Sequence, residues 1–60
     1  MFMVNESMGN FSEKVFESDN FNEVQDYLQE CFEKAINNGD YENTEESEQH
    51  FYSYFSIEQN

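Results

Sequence analysis

The sequence predicts a small α+β fold, in which an antiparallel sheet carries one packed amphipathic helix in the order ββαβ. Three observations predict it. Runs rich in aromatic and β-branched residues stand at both ends of the chain. A long central stretch repeats its apolar residues with a helical period. Gly and Asn separate these stretches where the chain must turn. At 60 residues, positions 1–60 form a single domain. A chain this short buries only about 60% of the surface its unfolded form exposes. Its one cysteine, Cys31, leaves no intramolecular disulfide to help. Its resource is 7 Phe and 4 Tyr, a composition unlike that of acidic disordered segments. Pairing with a second copy is the other route to completing so small a core.

Residues 2–7 (Phe-Met-Val-Asn-Glu-Ser) read as a first strand and Met8-Gly9-Asn10 as a turn. Residues 11–17 then pair back, with Phe11 and Val15 on one face and Phe16 on the other. Asn20 is a good N-cap, and Glu23 falls at the third helical position to complete a capping box. Phe21, Val24, Leu28, Cys31 and Ala35 follow at helical spacing, with Phe32 and Ile36 widening the stripe and Tyr27 at its edge. The helix spans 20–37 and ends at Asn37-Asn38-Gly39, where Gly39 can take the left-handed position.

Residues 40–50 are polar and acidic, and Thr44 can cap a short helical turn through the glutamates. Residues 51–58 alternate as a strand, with Phe51, Phe55 and Ile57 on one face and Tyr52 and Tyr54 on the other. Phe51, Tyr54 and Phe55 also fit helical spacing. A second helix over 45–56 is therefore the rival reading, giving a β-hairpin plus two helices.

Charge excludes several functions. The chain holds 14 acids against 2 lysines and no arginine, for a net charge of −12. It cannot neutralise a row of phosphates, so it does not bind nucleic acid directly, and anionic membrane surfaces repel it. No apolar run reaches membrane-spanning length, and the first residues lack the cationic start of a secretion signal. The cytoplasm is the expected location.

The charge also has a place. On a helical wheel, Glu23, Asp26, Glu30 and Glu33 fall within a sector of about 80° opposite the apolar stripe. Only Lys34, four residues after Glu30, offers an intrahelical partner. The segment after the helix adds Asp40, Glu42, Glu45, Glu46 and Glu48, with Tyr41 among them. The helical acids step along the axis by about 4.5–6 Å. Phosphates on one DNA strand step by about 3.4 Å, a comparable spacing. Such a row can occupy a basic groove built for phosphates, with steered, salt-sensitive association. A carboxylate stripe is also what a merely solvated face looks like.

Other chemistry finds no support. Cys31 sits on the apolar helix face, where a cysteine behaves as a small core residue, and His50 is the one histidine. No Cys/His cluster suits zinc. Read as an EF-hand from Asp40, the loop has Glu45 where Gly belongs and Phe51 where the bidentate Glu belongs. No nucleophile–base set and no phosphate loop is present, so neither an enzyme nor a cofactor is expected.

In size and acidity the chain resembles the small phage-encoded inhibitors that mimic DNA: antirestriction proteins, uracil-DNA glycosylase inhibitors and some anti-CRISPR proteins. Glu45-Glu46-Ser47-Glu48 followed by Phe51-Tyr52 is similar to the acidic loop and aromatic element of a small Cas9-inhibiting anti-CRISPR. The resemblance implies a stoichiometric inhibitor that fills a nucleic-acid-binding cleft of a host protein. The alternative is a protein–protein interaction module whose Phe and Tyr surface binds a partner or a second copy, with the acids serving solubility.

Overall fold

Gly9 lets the first eighteen residues fold back on themselves. Its φ of +83° lies in the left-handed region that a residue with a Cβ resists. The Met8 N–H donates to the Phe11 carbonyl at 2.7 Å, closing the turn. A computed structural model describes all 60 residues. It places β1 at Phe2–Ser7, β2 at Ser12–Ser18, α1 at Phe21–Asn37, α2 at Glu45–Tyr52 and β3 at Phe55–Gln59. The sheet is antiparallel in the order β2-β1-β3, so the first strand is the central one.

The β1–β2 pairing holds a β-bulge. Val4 faces Phe16 and Asn5 faces Lys14, which leaves Val15 with no opposing residue. One extra residue reverses the alternation of everything beyond it. Phe16 therefore shares Val4's face of the sheet, and its ring stacks on Tyr27 of α1. The expected grouping of Phe11 with Val15 does not form. Phe11 stays in the turn, 65% exposed.

α1 begins as the sequence indicates, by a different route. The Asn22 N–H donates to Asn20 Oδ1 at 2.9 Å, so Asn20 is the N-cap. Glu23 does not reach back to the Asn20 N–H. Ser18 Oγ accepts that N–H at 3.0 Å and donates in turn to Glu23 Oε2 at 2.7 Å. Ser18 thus relays the capping box. At the other end the Gly39 N–H donates to the Ile36 carbonyl and the Asp40 N–H to the Ala35 carbonyl, each at 3.0 Å. With Gly39 at φ +83°, this is the Schellman pattern, and it satisfies carbonyls the helix leaves orphaned.

The last third of the chain divides between the two readings of its sequence. Thr44 Oγ1 accepts the Ser47 N–H at 3.2 Å and starts α2, with Glu45, Glu46 and Glu48 in its first turn. The helix runs through Phe51 and Tyr52, so the strand expected over 51–58 begins only at Phe55. The pairing of Tyr52 with Tyr54 on one strand face is accordingly not realised. β3 pairs with β1 from Phe2↔Gln59 to Glu6↔Phe55. Phe55 thus lies on the Val4 face, and its contact with Phe51 places α2 on the same side of the sheet as α1.

The result is two layers, only 17 Å through the thinnest dimension. Val4 and Val24 are fully enclosed, and Phe32 is nearly so. The accessible surface is 4505 Å², against about 4100 Å² expected for a chain of this mass. The excess fits a molecule with an unfilled groove. No helix is long and apolar enough to cross a membrane.

Candidate functional site

The nine acids between Glu23 and Glu48 are all exposed, and none is ion-paired. The one ion pair between side chains joins Lys14 to Glu17 at 3.1 Å, on β2. Lys34 does not bridge Glu30, so the intrahelical compensation expected from their spacing is absent. Like charges on neighbouring helical positions cost a few tenths of a kcal/mol per pair. α1 carries that cost without relief.

α2 splits the α1 stripe into two settings. Glu23, Asp26 and Glu30 border a small concavity of about 250 Å³ whose floor is Phe16 and Tyr27. These two rings stack at 4.4 Å and 9°. Burial, and next the neighbouring Cys31 thiol and the Glu6 carboxylate, push the Tyr27 hydroxyl up to about 12. It is neutral at any physiological pH.

Glu33 faces the other way. Together with Glu48 of α2 it borders an open groove of about 780 Å³ between the two helices. Leu28, Phe32, Ile36 and Tyr52 form its apolar part, and Gln25, Gln29, Asn37 and Asn43 its neutral polar part. Burial, then Glu48, Cys31 and Glu33, raise the pKa of Tyr52. Both groove carboxylates therefore act on the same hydroxyl, one from each helix. Glu33 and Glu48 are 15 positions apart in sequence, and the helix–helix packing brings them to one place.

The remaining expected site residues scatter. Asp40 and Glu42 lie in the connection between the helices, and Glu45 and Glu46 in the first turn of α2. Tyr41 turns inward: it is half-buried, edge-on to Phe51 at 5.2 Å and to Phe32 at 6.3 Å. It holds α2 against α1, and Tyr54, 44% exposed, is the outward tyrosine. The Tyr54 hydroxyl lies 3.3 Å from His50 Nε2. Cys31 is half-buried on α1, near both Tyr27 and Tyr52.

The groove residues Leu28, Phe32 and Ile36 read in sequence only as core. Their signal was the width of the apolar arc, broader than one sheet contact requires. No set of three or more His, Cys, Asp or Glu side chains is gathered where one metal ion would fit. No protein-family model, curated protein or solved structure matches the chain.

Proposed function

We propose that the chain is a non-enzymatic acidic inhibitor that occupies the basic nucleic-acid-binding cleft of a host defence or DNA-processing protein as a DNA mimic. One observation carries this reading: nine acids lie exposed and without an ion-pair partner along α1, its C-terminal connection and the start of α2. A folded helix holds its carboxylates at fixed steps, which a disordered acidic tail cannot. Lys and Arg lining a phosphate-binding groove would pair with them, Arg through two parallel hydrogen bonds.

The test is displacement. A partner captured from lysate is loaded with a labelled DNA duplex, and the chain is titrated in. The duplex should leave stoichiometrically, and the affinity should fall steeply between about 50 and 500 mM salt. A partner that holds chain and duplex together would overturn the reading. A variant with Glu23→Gln, Asp26→Asn, Glu30→Gln and Glu33→Gln should fold at least as stably, since repulsion is relieved, and lose the partner. Binding retained by that folded variant would remove α1 from the interface.

A second reading, an interaction module, has its own support. Phe11, Phe21, Tyr54 and Ile57 are between 41% and 65% exposed, large apolar side chains open to a partner. An affinity nearly independent of salt would favour it.

A further inference from the structure

The groove between α1 and α2 has a length, a floor and a sign of charge. Its α1 wall runs from Gln25 to Asn37, about 18 Å at 1.5 Å per residue, or a little over three helical turns. Leu28, Phe32 and Ile36 recur along it every fourth position, and Tyr52 faces them from α2. A carboxylate stands on each side, Glu33 on α1 and Glu48 on α2, and no cationic residue lines the groove.

We infer that this groove docks a cationic amphipathic helix of a partner protein, with apolar anchors on the half-buried Leu28, Ile36 and Tyr52 above the Phe32 ring and flanking Lys or Arg on Glu33 and Glu48. Helix-in-groove recognition places apolar anchors at i, i+3 or i+4 and i+7, a span the groove's length accepts. An open trough with polar shoulders suits a polymer chain better than a small ligand, which needs walls on most sides. Charge selects the partner. A second copy of this chain would bring its own −12 to the contact, whereas a basic helix neutralises both shoulders and is steered toward them. The inference goes beyond DNA mimicry, because it holds equally for a partner that never binds nucleic acid.

The probe is a synthetic leucine–lysine amphipathic helix of about 14 residues, titrated into isotopically labelled chain and followed by amide chemical shifts. A scrambled peptide of the same composition, with no apolar face when helical, is the control for charge alone. Shifts centred on Leu28, Phe32, Ile36 and Tyr52 are expected. The scrambled peptide should bind at least about tenfold more weakly, the loss that goes with about 1.4 kcal/mol of apolar contact. Gln29→Arg with Asn43→Arg, both at exposed groove positions, should weaken the amphipathic peptide by a similar factor or more and leave the circular dichroism unchanged. Three results would each overturn the inference. These are equal affinity for the two peptides, shifts centred on Glu23, Asp26 and Glu30, or a sedimenting dimer of the free chain that the Gln29→Arg, Asn43→Arg variant abolishes. The probe contains no DNA, so failure here leaves the displacement experiment standing, and the converse also holds.

Discussion

α1 has two flanks, and they are finished differently. Toward β2 it meets a sheet: Tyr27 lies flat on Phe16 at 9°, and Val24 sits enclosed above the strands with Val4. Toward α2 it meets a helix of 8 residues. There Phe32 is enclosed by tilted and edge-on rings, Phe51 at 5.4 Å, Tyr52 at 5.8 Å and Tyr41 at 6.3 Å, while the neighbouring Leu28 and Ile36 stay partly open. A sheet offers a continuous wall at one distance. A helix of 8 residues spans about 12 Å, less than half of the about 26 Å of α1. The apolar stripe of α1 is wider than the sheet can cover, and the remainder becomes the groove.

The largest test of this comparison is Phe32→Ala. Phe32 is the one enclosed aromatic and the meeting point of three rings. Its loss should cost about 3–5 kcal/mol. A 60-residue domain has only about 3–9 kcal/mol in total. The variant should lack a cooperative thermal transition by circular dichroism. Phe16→Ala removes a half-buried ring from the other flank and should cost less, about 1–2 kcal/mol. If Phe16→Ala is the more damaging change, the aromatic cluster around α2 is not what secures the fold.

Gly39→Ala and Gly9→Ala come next. A Cβ at either position would meet no atom within 4 Å, so crowding is not the obstacle. Both have φ +83°, and a left-handed residue with a Cβ costs about 1–2 kcal/mol. Equal losses in chemical denaturation are expected. Gly39 closes the Schellman end of α1 and sets the exit toward α2, so its variant should also disturb amide shifts of Tyr41 and Phe51.

The sequence made one flank far more legible than the other. α1 could be placed within a residue at each end, because Asn20 and Gly39 each have a stated conformational job. Its acidic face could be named residue by residue from the helical period alone. The bulge at Val15 was hidden, since alternation assumes that no residue is inserted. It decides that Phe16, not Val15, reaches Tyr27. Phe51, Tyr54 and Phe55 satisfied both periods, and the chain uses both, ending α2 at Tyr52 and starting β3 at Phe55. The groove could not be read at all. It depends on how α2 returns across α1, which is set by Tyr41, Phe51 and Phe32 meeting in space.

The helix caps give a smaller effect with a regional signature. Asn20→Ala and Thr44→Ala each remove a side-chain acceptor from a helix start, about 1 kcal/mol apiece. An isolated helix of eight residues is unstable, so α2 depends on its cap and its ring contacts. Thr44→Ala should speed hydrogen exchange in Glu48–Tyr52 and leave β1 and β2 protected. Asn20→Ala should lower protection in β1 and β2 as well, since α1 packs on both of those strands. Uniform loss in both variants would mean that α2 has no local stability of its own.

The last effect shows only in alkali. The Tyr27 hydroxyl is held neutral to about 12 by burial against the sheet, where an unfolded chain ionises it near 10. Below about pH 10 both states keep the proton and the folded state loses nothing. Between about 10 and 12 the unfolded chain releases its proton while the folded chain holds it, so stability declines as pH rises. Tyr27→Phe has no proton to release. Its urea midpoint should fall less between about pH 9 and 11 than that of the parent chain. Tyr52 is also raised, by burial and then by Glu48, but less far than Tyr27. Tyr52→Phe should flatten the alkaline decline less than Tyr27→Phe does. The reverse order would make Tyr52 the more deeply buried hydroxyl, and the groove it borders would then have no standing as an open surface in solution.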